Sequence, residues 1–140
     1  MACAAPSAGD LQSYRVIVVR DPIERQALVH VAHEQTFIAE APICLVFCAD
    51  PARSETAFGE RGATLYALQD ATIAAAYAQL AIVAAGMGST WVGYFEEDQV
   101  RKALGLEPGL VPIALISLGY PAELPEPSSR RRLHEVVAWR

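Results

Sequence analysis

"ATLYALQDATIAAAYAQLAIVAAGMGSTWVGYF", residues 63–95, decides how the rest of the chain is read. From residue 63 to about 85 apolar side chains fall on nearly every side of a helical projection, so a helix here is buried over most of its surface. Its alanines allow a sheet, or a copy of itself across a dimer axis, to come close. Gly86 and Gly88 stop it, and "STWVGYF" then reads as a short strand ending in a turn. Residues 71–95 carry no charge and are long enough to cross a bilayer. They are mostly alanine, however, they contain Thr72, Gln79, Ser89 and Thr90, and acids rather than basic anchors flank them, so a core helix followed by a strand is expected.

Working upstream, "ICLVFCA" (43–49) is a continuous apolar run suited to a strand covered on both faces. "YRVIVVR" (14–20) is a second strand, and Asp21 with Pro22 opens a helix running from 22 to about 33. "TFIAEAP" makes one short helical turn before Pro42. Between strand and central helix lies "DPARSETAFGERG" (50–62), polar and without period, which is expected to be a loop and a natural lid. Downstream, "EEDQVRKALGL" is an amphipathic helix stopped by Gly105, and "VPIALISLGYP" (111–121) is the last core strand. "AELPEPSSRRR" runs extended, and "LHEVVAW" alternates as an added edge strand does. The expectation is one domain over residues 1–140, of class α+β, with residues 121–140 an extended C-terminal tail.

Composition narrows the function. With 140 residues, 53% hydrophobic and a net charge of −5, the chain supports one core and has no general field for nucleic acid or an anionic membrane, Arg130, Arg131 and Arg132 being a local exception. Cys44 and Cys48 would stand roughly 13 Å apart on one strand, too far for a disulfide. Buried reduced thiols, and a start (Met1-Ala2-Cys3) without a signal-peptide pattern, point to the cytoplasm.

Several motifs carry no chemistry. "GMGS" (86–89) follows a helix, where exposed carbonyls repel phosphate. His30 and His33 share a helix face with no third ligand beside them. Neither a nucleophile elbow nor a cysteine visibly paired with a base occurs. What remains is a set of backbone donors and small hydroxyls in loops, which suits a bound cofactor better than acid–base catalysis. "PSAGDLQ" offers Ser7, Asp10 and Gln12, "WVGYF" offers the amides of Gly93 and Tyr94, and the terminal arginines offer bidentate phosphate donors. Asp70, in an otherwise apolar helix, must find a donor or a polar pocket, because burying an unpaired carboxylate is costly.

The series "APSAGDLQSYRVIVV", "FIAEAPICLVFCADPARS", "GERGATLYALQDATIAAAYAQLAIVAAGMGSTWVGYF", "ALGLEPGLVPIALISLGYP" and "RRRLHEVV" resembles the nitroreductase family of flavin mononucleotide (FMN) oxidoreductases, over almost the whole chain. The resemblance implies a nitroreductase-like α+β fold, a mainly antiparallel sheet flanked by helices, and a homodimer with flavin at its interface beside the long central helix. It implies that Pro6, Ser7 and Ala8 touch the flavin ring from the partner subunit, with Asp10 where the family usually has Asn, and Gln12 following. Gly93 and Tyr94 match the turn whose amides face flavin N5, and Arg130 and Arg131 match its phosphate contacts.

The family's usual opening, a helical segment with an Arg-Ser-x-Arg type motif, has no counterpart here, so the resemblance implies an N-terminally short member with that segment missing. The expected activity is hydride transfer from NAD(P)H through FMN to a nitroaromatic or quinone. No catalytic side chain is needed, since the flavin carries the chemistry, and no metal is called for. Two other readings stay open: a flavin-poor dimeric scaffold without catalysis, and a flavin-cleaving or dehalogenating member. Arg53, Phe58, Glu60 and Arg61 in the expected lid would border a substrate entrance, while Gln69 and Asp70 read as structural first and cofactor-related second.

Overall fold

A computed structural model describes residues 2–123 and 125–140. Four antiparallel strands form one sheet: β1 (Tyr14–Val19), β2 (Ile43–Ala49), β3 (Gly88–Val92) and β4 (Val111–Gly119), in the spatial order β1-β2-β4-β3. Tyr14 pairs with Ala49, Ile43 with Leu118, and Gly88 with Gly119.

β2 is apolar throughout because it lies inside the sheet with helices on both faces. Its side chains alternate with the pleat. Cys44, Val46 and Cys48 join Leu28 and Val29 of helix α1 (Pro22–Val31), Ile38 of α2 (Phe37–Glu40) and Val100 of α5 (Glu97–Leu104) in one core. Phe47, on the other face, meets Ala74, Ala75, Ala78 and Ile82 of the central helix α4 (Ala67–Ala84). The small alanines are what let α4 lie flat on the sheet, and larger side chains there would hold it away.

Asp21 caps α1, its Oδ1 accepting from the amides of Ile23 at 2.7 Å and Glu24 at 3.4 Å. The helix ends two residues before the expected limit, since His33 (φ +55°) and Glu34 (φ +61°) are left-handed. Gly105 stops α5 as expected, at φ +57°.

Two expectations fail. Residues 50–62 do not form a loop: α3 spans Pro51–Arg61 and continues through a wider turn at Gly62–Tyr66 into α4. Asp50 accepts from the Arg53 amide at 3.2 Å and Pro51 follows it, the same Asp-Pro start as at Asp21-Pro22. The missing signal is periodicity, because Ser54 is the only residue α3 buries. Gly59 (φ +59°, ψ −150°) breaks the rod, a conformation that a side chain would strain. Gly62 lies so close under α3 that a Cβ would collide with the Ser54 carbonyl oxygen.

"LHEVVAW" is not an edge strand either. It holds one helical turn, α6 (Leu133–Val136), with Glu135 accepting from the Arg132 amide at 2.6 Å. Alternation describes a strand only where a sheet edge receives it, and among the described residues the edges are β1 and β3.

Candidate functional site

The loop before β1 is unusual in its backbone. Gly9, Asp10 and Gln12 have φ of +56°, +55° and +51°, and two of these three are not glycine. Such residues persist only where their surroundings hold them. Inside the loop, Ser7 Oγ accepts from the Gln12 amide at 2.9 Å, and the Asp10 amide donates to the Ser7 carbonyl at 3.1 Å. Gln12 Nε2 donates to the Cys3 carbonyl at 2.8 Å, which ties the loop to the chain ahead of it.

The strongest restraint comes from α4. Asp70, 1% exposed, accepts from the Ala8 amide at 2.9 Å through Oδ1 and from the Ser13 amide at 3.2 Å through Oδ2. The carboxyl group therefore finds its donors in the loop. α3 braces the other side: Arg53 Nε donates to the Leu11 carbonyl at 2.5 Å, the Asp50 amide donates to the Ser13 carbonyl at 2.9 Å, and Phe58 lies against Gly9.

Held in this way, Pro6, Ser7, Asp10 and Gln12 line one open cleft of about 450 Å³, together with Cys3 and Tyr77. Ala8 is absent from that lining and spends its amide on Asp70.

The segment after β3 forms a second site. Gly93 lines an apolar cleft of about 340 Å³ with Pro51, Thr64, Leu68, Phe95 and Val111 among its walls. Tyr94 is exposed, and its ring stacks on His33 at 3.8 Å and 17°. Gln35 Nε2 donates to the Tyr94 carbonyl at 3.3 Å, and the Glu96 amide donates to the Val31 carbonyl at 3.0 Å. No turn or loop bond among the described residues occupies the Gly93 and Tyr94 amides. His33 and Gln35 are positioning groups that the sequence reading missed. Helical spacing pairs His33 with His30, but the left-handed backbone ends the helix first and swings the ring toward Tyr94.

Arg130 and Arg131 join neither cleft. Arg130 Nη1 donates to the Ser128 and Ser129 carbonyls at 3.3 Å each and to the Ser128 hydroxyl, and Arg131 Nη2 donates to the Glu135 carbonyl. Both are exposed in the tail. Arg61 and Phe58, expected in a lid, pack on Tyr66 instead: Arg61 Nε donates to its hydroxyl at 3.0 Å, and Phe58 meets it edge-on at 5.3 Å. Glu60 and Gln69 are exposed.

The buried thiols are chemically quiet. Burial pushes Cys44 up to about 12 and Cys48 up to about 11 from an ordinary 9.0. Tyr14 is raised as well, chiefly by burial, then by the nearby Cys3 and Asp70. What the two clefts offer is chiefly hydrogen-bonding groups, with the exposed thiol of Cys3 at the loop cleft, an arrangement for binding and orienting a small ligand.

α4 presents one further feature. Its inner face is buried, but Leu68, Thr72, Ala76, Leu80 and Val83 are exposed at helical spacing, Leu80 by 67% and Val83 by 66%. The helical stretch Pro51–Ala84, though kinked at Gly59, is long and apolar enough by composition to cross a membrane, with a mean hydropathy of 1.3, yet its alanine face packs on the sheet.

Among proteins of known family, a model described as the nitroreductase family matches residues 1–120. A relative named NADH dehydrogenase, from Thermus thermophilus, is 35% identical over 99% of this chain and 81% of its own length. An FMN reductase (NADPH) of Bacillus subtilis is 28% identical over 86% of the chain and 54% of the relative. The crystal structure of an NADPH:FMN oxidoreductase from Vibrio harveyi in complex with NAD+ superposes with a TM-score of 0.87 at 30% identity, covering 98% of this chain and 63% of that one.

Proposed function

The chain belongs to the nitroreductase family, and from that premise we propose that it is an FMN-dependent oxidoreductase, taking hydride from NAD(P)H and passing it to a small, planar, electron-poor acceptor of nitroaromatic or quinone type. The observation that carries this reading is the loop cleft, where Pro6, Ser7, Asp10 and Gln12 are presented together on a backbone that a buried carboxylate holds.

The donor set suits flavin. Bound FMN supplies the two-electron chemistry. Ser7 brings a hydroxyl, Gln12 an amide oxygen and Asp10 an acceptor to the ring edge, and the amides of Gly93 and Tyr94 are available to electron-rich ring atoms. Fixed donors of this kind stabilise negative charge on a reduced ring without reorganising. Arg130 and Arg131 supply the phosphate contacts once the tail turns to the cofactor. Thr64, Leu68 and Phe95 in the second cleft exclude water from one side of a planar substrate.

The two half-sites belong to different copies of the chain. Leu68 lines the Gly93 cleft and Tyr77 the loop cleft. Nine residues separate them along α4, which is two and a half turns, so they stand on opposite sides of the helix and about 13 Å apart along its axis. One protomer therefore faces its loop and its turn away from each other. The exposed stripe of Leu68, Leu80 and Val83 supports pairing of α4 with a second copy, which brings the partner's loop to this protomer's turn. Free thiols and a nicotinamide reductant suit the cytoplasm.

The test is anaerobic mixing of the chain with FMN and NADH or NADPH while the flavin absorbance is followed. Bleaching, and its reversal by a quinone or a nitroaromatic, is the expected result. Flavin that stays oxidised in the presence of both nucleotides overturns the reading.

A further inference from the structure

Asp70 has no role in hydride transfer as described above, and it is remote in sequence from every cofactor contact. It is also the most deeply buried acid of the chain, and both of its oxygens are committed to loop amides. We propose that Asp70 is the positioning residue of the cofactor loop: it fixes residues 8–13 in the path, left-handed at Gly9, Asp10 and Gln12, that presents Ser7, Asp10 and Gln12 to a flavin, and so sets flavin affinity without touching the ligand. The inference rests on the flavin reading given above.

Three observations converge on it. First, Asp10 and Gln12 are left-handed without being glycine, so the loop does not adopt this shape unaided. Second, the two accepted bonds bracket the strained residues, with Ala8 on one side and Ser13 on the other. A clamp at both ends fixes the path of the five residues from Ala8 to Gln12, and Ser13 continues directly into β1 at Tyr14. Third, Asp70 projects from α4 one turn before Ala74, which with Ala75 is fully buried against the sheet, so the clamp is anchored in the packed part of the molecule. The side-chain type matters. An aspartate presents two acceptors on a short stem, whereas asparagine presents one acceptor and places an N–H₂ group against the second amide.

Asp70→Asn therefore leaves size and fold nearly unchanged while releasing one end of the loop. The experiment compares wild type and D70N by FMN fluorescence titration and by amide hydrogen exchange at Ala8 and Ser13. The expected result is exchange at one or both amides at least tenfold faster, and FMN affinity at least tenfold weaker, with helical content and unfolding cooperativity retained. Unchanged exchange overturns the inference, and so does faster exchange with unchanged FMN affinity, which would make Asp70 a brace only.

Should D70N fail to fold, Ala8→Pro removes one of the two donors without touching α4. Ser7 is already extended (φ −143°, ψ 160°), as the residue before a proline must be. The same two outcomes then decide: weaker FMN with the Ser13 amide exchanging faster supports the clamp, and unchanged affinity overturns it. Failure of wild type itself to bind FMN overturns the flavin reading and this inference together, whereas wild-type binding with undiminished affinity in the variants overturns this inference alone.

Discussion

Two regions of this molecule are candidates for the same ligand, and they are built in opposite ways. The loop at residues 6–13 is strained, short and held from three directions by Asp70, Arg53 and the Cys3 carbonyl. The tail at residues 125–140 is relaxed and bonds chiefly to itself, with Arg130 on Ser128 and Ser129 and Arg131 on Glu135. Strain that the core maintains leaves little entropy to lose on binding, so the loop is a preorganised reader of shape. The tail would have to exchange these internal bonds as it binds, and its charges would supply attraction at the expense of that rearrangement. Under the proposed function, recognition of the ring would fall to the loop and capture of the phosphate to the tail.

Removing the clamp outright is the severest way to break this contrast. Asp70→Ala leaves the buried Ser13 amide and the half-buried Ala8 amide without acceptors; a fully buried amide costs about 1–3 kcal/mol, and urea unfolding should report a loss of roughly 2–4 kcal/mol. A loss below about 1 kcal/mol would show that the loop holds itself. Next in size, Gly62→Ala puts a methyl group into the Ser54 carbonyl where α3 crosses, and should cost roughly 1–3 kcal/mol in the same assay through strain in α3, which braces the loop. The tail should behave differently. Arg130→Ala with Arg131→Ala should leave stability within about 0.5 kcal/mol of wild type, since both are solvated. FMN affinity should nevertheless fall by about tenfold or more, as expected when charge-assisted bonds worth roughly 1.5–3 kcal/mol are lost. Equal affinity would reduce the tail to a solvated segment.

The smallest effect concerns the thiols. Cys3 is exposed and should react promptly with a thiol reagent at pH 8, while Cys44 and Cys48, raised to about 12 and about 11, should react only as the protein unfolds. Because burial raises these two pKa values, the unfolded chain releases their protons near 9.0 while the folded chain keeps them. Their contribution to stability is therefore complete below pH 9 and is lost progressively as the pH rises toward 12. Three thiols reacting at one rate would contradict this burial.

Much of the architecture was legible in the residues because burial leaves a period. β2 was bounded correctly at Ile43–Ala49, since both of its faces are covered, and Gly105 marked the end of α5 where the backbone turns left-handed. α3 escaped notice for the complementary reason: a helix that buries only Ser54 has no apolar stripe, and its Asp50-Pro51 start was the one local signal. The tail misled in the other direction, because Leu133, Val136 and Trp139 alternate without a sheet edge to receive them.

At the site, composition alone identified Asp70 as a residue that must find donors, but its partners lie 57 and 62 positions away and only the fold brings them together. His33 was visible and misassigned, since its role follows from a positive φ that no spacing rule announces. Placing Gly93 and the loop on opposite sides of α4 likewise required the helix to be seen.

The proposed flavin site is completed by two copies of the chain. Sedimentation velocity of the protein with FMN, detected at the visible flavin band, tests it most directly. All sedimenting flavin should travel with a two-chain species, one FMN per protomer, and Leu80→Glu, on the exposed stripe of α4, should move protein to a one-chain boundary and leave the flavin behind. Flavin travelling with a single chain, or flavin that does not sediment with the wild-type protein at all, would contradict it.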